Sequence, residues 1–133
     1  MNNKLNLFVV LAILILPILL YTVLKSPENA GHTSLAASGK PKMIKFSSPL
    51  CMECQELEKS LMVVEPKYKD KVDFVKFNVN SSSDLTQTEI KKYGVKVVPT
   101  SVFIDKKGKV YKQVEGTMSV KELETILDKL ING

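Results

Sequence analysis

The chain has 133 residues and a formal net charge of +5, and all nineteen of its basic side chains are lysine. These lysines are interspersed with fourteen acids and come without arginine, a basic run or aromatic platforms, so they read as a solvated surface and exclude a nucleic-acid-binding role. The length admits one small domain.

Residues 5–24, "LNLFVVLAILILPILLYTVL", carry no charge and span about 30 Å as a helix, the thickness of a bilayer's hydrocarbon core. Pro17 would only kink a membrane helix. A cleaved secretion signal has a shorter apolar stretch, about 7–15 residues, with its small-residue site close behind. Here Ser34-Leu35-Ala36 fits that site loosely and lies well past the apolar run. Residues 1–25 are therefore expected to be an uncleaved single-pass signal anchor. The amino terminus and Lys4 on one side, against Lys25 on the other, place the N-terminus in the cytoplasm and the rest in an extracytoplasmic, periplasm-like space. A reactive thiol pair there meets oxidised proteins. Residues 26–40 are small and polar and form a flexible linker with a reach of about 22 Å. His32, the only histidine, reads as a solvated linker residue rather than a ligand.

Residues 41–133 form the domain, near the lower size limit for a self-sufficient core. "KMIKF" (42–46) is a short strand. After Pro49, Cys54, Leu57, Leu61 and Val64 recur at helical spacing and draw one buried stripe, and Pro66 is expected to end or kink that helix. "VDFVKFNV" (72–79) is a strand, and a short helix over 86–93 follows, with Thr86 and Glu89 as a capping box and Gly94 as the stop. "TSVFID" and "KVYKQVEG" flank Lys106-Lys107-Gly108 as a β-hairpin. The last helix has Ser119 as N-cap with Glu122 three residues on, a Met118–Leu123 staple, and Leu123, Ile126, Leu127 and Leu130 as its buried face. The fold class is α/β: a mixed four-stranded sheet in the order strand, helix, strand, helix, strand, strand, helix, with a right-handed parallel crossover at its start.

The chain has two cysteines, Cys51 and Cys54, and they straddle a helix start. First-turn amides without intrahelical partners and the positive end of the helix dipole favour a thiolate at Cys51. Three residues of helix bring both sulfurs to one face, close enough to join. Cys51 would attack a substrate disulfide, and Cys54, buried on the apolar stripe, would resolve the mixed disulfide. Other readings of the pair are a structural disulfide, which would close too small a loop to constrain the unfolded chain much, and zinc, for which further ligands are missing. Copper(I) accepts two or three soft ligands, and Met43 and Met52 are near in sequence, so a tethered copper(I) carrier, or a binding protein that captures thiols without turnover, stands as the alternative function.

"KKYGVKVVPT" (91–100) followed by "SVFIDKKGKV", taken with "CMEC" and the element order, resembles the thioredoxin superfamily over residues 40–133. "CMECQEL" at 51–57 and "YKDKVDFVKFNVN" at 68–80 resemble, more narrowly, the membrane-tethered thioredoxin-like proteins of the thylakoid type, which pass reducing equivalents to cytochrome c maturation. The resemblance implies a minimal thioredoxin fold, lacking the extra N-terminal strand and helix. It implies Cys51 as nucleophile, Cys54 as resolver, and Pro99 as a cis-proline whose neighbour Val98 pairs with a substrate strand. Leu50, Met52 and Glu53 would join Val98 and Pro99 in contacting substrate.

The implied activity is protein-disulfide reduction by a membrane-anchored oxidoreductase. Its only cofactor would be the Cys51–Cys54 disulfide, with no metal. Its partners would be disulfide-bearing proteins and a membrane or thioredoxin-type electron donor, and the chain would act as a monomer. Leu50 stands where the family has tryptophan, and Lys45 stands where it has a buried acid, with Lys76 matching the lysine that pairs with that acid. Two lysines cannot neutralise each other, so one is expected to turn outward, meet Glu56 or lose its proton. Glu56, two residues after Cys54, is the candidate proton acceptor for that cysteine. Glu53, between the cysteines, opposes thiolate formation and favours reduction over oxidation.

Overall fold

The computed structural model describes residues 9–17 and 39–133. Two compact units divide the chain, 1–36 and 37–133. In the first, residues 9–17 are helical with exposed side chains. No helix among the described residues is long and apolar enough to cross a membrane, and most of the expected anchor and linker lies outside them.

The second unit contains β1 (Lys42–Ser47), α1 (Met52–Tyr68), β2 (Asp73–Asn78), α2 (Asp84–Tyr93), β3 (Thr100–Ile104), β4 (Val110–Glu115) and α3 (Val120–Asn132). The strands form one sheet in the order β2-β1-β3-β4, with β1 parallel to β2 and antiparallel to β3, and β4 antiparallel to β3. This is the mixed four-stranded α/β fold expected from the sequence.

Alternation along β1 sends its residues to two faces. Met43 packs with Phe103, with the α1 stripe of Leu57, Leu61 and Val64, and with the α3 stripe of Leu123, Ile126, Leu127 and Leu130. Phe46 belongs to the opposite face, where it stacks on Phe77 with ring centroids 5.4 Å apart and meets Tyr93 of α2 at 6.1 Å. Each fully buried side chain of this kind contributes roughly 1.5–3 kcal/mol relative to exposure, so the paired stripes of α1 and α3 account for much of the driving force.

Local signals act as read at most element ends. Ser119 Oγ accepts from the Glu122 amide, Glu122 accepts in return from the Ser119 amide, and Met118 and Leu123 are both buried. Gly94 closes α2 in the left-handed conformation. The β3–β4 turn is held by the Asp105 carboxylate, which accepts from the amides of Lys107 and Lys109, with Gly108 at φ 82°.

Two ends differ from expectation. The N-cap of α2 is Ser83, not Thr86: the extended Ser83 accepts from the Thr86 amide and starts the helix two residues earlier. Glu89 therefore lies within the helix, buried and 3.5 Å from the Lys92 ammonium. Helix α1 does not end at Pro66 but runs through it to Tyr68. Its last turn is tied to α3, where Lys67 pairs with Glu124 at 2.7 Å and the Tyr68 hydroxyl donates to Asp128 at 2.7 Å.

That tie has a measurable signature. Desolvation first, then the Asp128 hydrogen bond and charge, push the Tyr68 phenol from 10.0 up to about 12. An absorbance titration is expected to show a tyrosinate forming near pH 12 that is missing in Tyr68→Phe. Since the folded value lies above the unfolded one, the contact's contribution to stability is complete below pH 10 and is lost as pH rises through about 12.

Candidate active site

The C-terminal end of β1 delivers the chain through Ser48, Pro49 and Leu50 to Cys51, whose amide donates to the Ser48 carbonyl at 3.2 Å. Cys51 is the N-cap of α1, in extended conformation, and its Sγ accepts from the Cys54 amide at 3.1 Å. A sulfur thus fills the place that a serine or aspartate oxygen takes at most helix starts. The cap is also the point where the helix dipole is most positive, so negative charge arriving on that sulfur is stabilised.

Cys51 and Cys54 are joined as a disulfide with Cα atoms 5.1 Å apart. Cys54 is 4% exposed, whereas Cys51 is half-buried. One sulfur is therefore open to a partner and the other is packed beneath it, the asymmetry that a nucleophile and a resolving thiol require.

Across from the pair, the Val98–Pro99 peptide bond is cis. The Val98 carbonyl oxygen lies 3.7 Å from Cys51 Sγ. Oxidised sulfur carries no hydrogen, so this is a contact in the disulfide and becomes a possible S–H donation in the dithiol. The turn is braced by Thr100 Oγ1, which donates to the Val97 carbonyl at 2.7 Å, and by the Gly116 amide, which donates to the Pro99 carbonyl at 2.8 Å. Leu50 is 91% exposed and Met52 81%, and Val97 is also exposed, so an apolar rim surrounds the accessible sulfur. Glu53 is exposed in the first turn of α1.

The structure brings Cys51, Cys54, Val98 and Pro99 together. It leaves Glu56 exposed, with no hydrogen bond or ion pair to Lys45 or Lys76. The carboxylate those lysines meet belongs to Glu58. Lys45, 5% exposed, is ion-paired with Glu58, and Lys76 reaches Glu58 at 2.9 Å and Glu65 at 3.0 Å. Burial first, and Lys76 second, hold the Lys45 ammonium below its ordinary range, with Glu65 opposing. Of the outcomes expected for the two lysines, Lys76 turns outward, half-exposed, while Lys45 stays inside beside a different acid. The signal for Glu58 was present: it lies four residues after Cys54 and directly after Leu57, on the edge of the inward stripe.

Ser101 pairs with Lys45 across β1 and β3, and its Oγ is buried without a hydrogen-bond partner among the described residues. Met43 is in the core and Met52 on the surface, which splits the soft-ligand set imagined for copper(I). Among the described residues no cluster of three or more histidine, cysteine, aspartate or glutamate side chains has the makings of a metal site.

Comparison with known proteins places the chain. The family described as thioredoxin-like domain matches residues 32–131. The chloroplast thioredoxin-like protein HCF164 of Arabidopsis thaliana is 31% identical over 97 residues, which are 73% of this chain and 36% of that protein. The thiol:disulfide interchange protein TxlA of Synechococcus elongatus is 26% identical, covering 95% of this chain and 71% of its own length. The thiol-disulfide oxidoreductase ResA of Bacillus anthracis is 29% identical, covering 69% and 64%. Among solved structures, the germline thioredoxin Deadhead of Drosophila melanogaster superposes with a TM-score of 0.61 at 25% identity, over 72% of this chain and 86% of its own. The chain spans about a third of the length of its chloroplast relatives.

Proposed function

Because this chain belongs to the thioredoxin-like domain family, we propose that it is a thiol–disulfide oxidoreductase that reduces disulfides of extracytoplasmic proteins while tethered to a membrane. The observation that carries this reading is the asymmetry of the pair: Cys51, only half-buried, caps a helix start, and Cys54 is packed one turn below it. Cys51 thiolate attacks one sulfur of the substrate disulfide and the other leaves. The resulting mixed disulfide is then resolved by Cys54, regenerating the bond between the two cysteines. The Cys54 amide and the positive end of the α1 dipole hold the attacking thiolate, and Glu53 beside it moderates that stabilisation.

Substrate recognition fits an extended segment laid along the Val98–Pro99 turn, with backbone groups of Val98 offered to it and Leu50 and Met52 supplying apolar contact. Tethering is supported by the uncharged run of residues 5–24, and disulfide exchange by the names of the relatives. The chain acts as a monomer that takes electrons from a membrane or thioredoxin-type donor.

Direction is tested by equilibrating the protein with a glutathione buffer. The expected potential is about −270 mV, near that of a reducing thioredoxin; a value above about −180 mV would reassign the protein as an oxidant. Stoichiometric copper(I) binding with no turnover of a protein disulfide would replace the reading with that of a carrier.

A further inference from the structure

Along the chain the lysines are mixed with acids, but the fold sorts them. Register fixes two ends of the domain. Lys42, where the chain enters β1, pairs with Asp73 at the start of β2 and with Ile104 at the end of β3. The α1–β2 turn and the β3–β4 hairpin therefore lie at the entry end, and the cysteines and the Val98–Pro99 turn lie at the other. The last turn of α3 joins the entry end: Lys106 Nζ of the hairpin donates to the Ile131 carbonyl at 2.9 Å, and the Tyr68 hydroxyl reaches Asp128.

At the entry end Lys69, Lys71, Lys106, Lys107, Lys109 and Lys129 are all exposed. Lys106 spends its ammonium on the negative end of the α3 dipole. The other five make no ion pair among the described residues. Of the acids there, Asp105 accepts from two turn amides and Asp128 from Tyr68, Asp73 is half-buried, and Asp70 stands exposed beside Lys69 and Lys71. The cysteine end presents Glu53, Glu56, Glu115 and Glu122 against Lys96 and Lys121. The domain is thus basic at one end and mildly acidic at the other.

A second feature lies among the lysines. Tyr111, 49% exposed, and Leu130 line a cavity of about 280 Å³ together with Asp105, Lys106, Lys107 and Lys129. An aromatic ring with a polar tip is the kind of side chain that settles at the boundary between water and lipid, and lysine stems lie along apolar surface while their ammonium groups stay wet.

We propose that this basic end is a docking surface for an anionic lipid bilayer, with headgroup phosphates meeting Lys107, Lys109 and Lys129 and with Tyr111 at the interface. The proposal rests on the tethered reading above. A bilayer is the anionic surface this end meets first, because the chain enters here and the uncharged run of residues 5–24 precedes it by a linker of about 22 Å reach. At that range the lysines come within the leaflet's field, which decays over about 8 Å at physiological salt. Docking gives the active site a direction: the length of β1, six residues, holds Cys51 roughly 20 Å above the headgroups and turned toward soluble substrates.

The test is acylation of lysines by a membrane-impermeant reagent, read by peptide mass spectrometry. The full-length chain is reconstituted into vesicles of phosphatidylcholine alone or mixed with phosphatidylglycerol. In the mixed vesicles Lys69, Lys71, Lys107 and Lys129 are expected to label about fivefold more slowly or less, the effect of one basic residue beside an anionic leaflet. Lys96 and Lys121 should label alike in both. Salt at about 1 M, where the screening length falls to about 3 Å, should abolish the difference. Lys107→Gln, Lys109→Gln and Lys129→Gln together should remove the protection of Lys69 and Lys71, whereas arginine at the same three positions should keep it. Equal labelling in the two vesicle types, protection shared by Lys96 and Lys121, or protection unmoved in the folded glutamine variant overturns the proposal. Protection by inorganic phosphate or polyglutamate on neutral vesicles, with none from phosphatidylglycerol, also overturns it and gives the patch to a free anion or an acidic protein. Release of the chain from both vesicle types by alkaline carbonate would overturn the tethered reading instead, a separate outcome.

Discussion

Cys51→Ser is expected to bring the reduction of insulin by dithiothreitol down to the rate of dithiothreitol alone, a complete loss of catalysis. The hydroxyl of serine would still cap α1, because serine is among the preferred residues at that position. Folding is therefore expected to survive while the nucleophile is lost. Cys54→Ala should behave differently. It leaves Cys51 as the half-buried cap of α1 but removes the buried sulfur that completes exchange, so a mixed disulfide with substrate should accumulate and be visible as a covalent adduct on a non-reducing gel. Adducts in Cys51→Ser but not in Cys54→Ala would exchange the two roles and contradict the burial pattern. Catalysis surviving in both variants would remove the cysteine pair from the mechanism.

Phe103→Ala is expected to cost about 3–5 kcal/mol, the usual range for deleting a buried phenyl ring. Phe103 is fully buried, lies opposite Met43 in the β1–β3 register, and packs against stripes of both α1 and α3. No single helix can move to fill the space without leaving the other. A domain of this size has roughly 5–15 kcal/mol in total, and each lost kcal/mol lowers its midpoint by about 4–8 °C. Urea unfolding of the oxidised protein, followed by circular dichroism, should show a much lower midpoint at an unchanged slope. A loss below about 1 kcal/mol would mean that α1 and α3 do not share one core around this ring.

Much of this was legible before any coordinates. The stripes of α1 and α3 follow directly from apolar spacing, and the Ser119 cap and the Lys106-Lys107-Gly108 turn are local chemistry with few competitors. The cap of α2 was misplaced because Ser81, Ser82, Ser83 and Thr86 all offer hydroxyls, and only the backbone decides which one faces the open amides. Beyond Pro66, Lys67 and Tyr68 of α1 meet partners some sixty residues away, which no local pattern contains.

The active site divides along the same line. Cys51, Cys54 and the Val98–Pro99 turn could be named because each has a short motif. Glu58 could not be preferred to Glu56 by proximity along the chain: two residues after Cys54 on a helix is the far side, and four is the same side. Lys45 shares the inward face of β1 with Met43, but its acid comes from an element crossing above the strand.

The cap of α1 ties the fold to its own chemistry. The Cys54 amide bonds to the very sulfur that changes partner at every turn of the cycle, so that hydrogen nucleus is a built-in gauge of electron transfer. Its chemical shift and its exchange with solvent should step through three values as Cys51 passes from thiolate to substrate-bound to internally bonded sulfur, letting the progress of a reaction be followed by magnetic resonance without any label on the substrate.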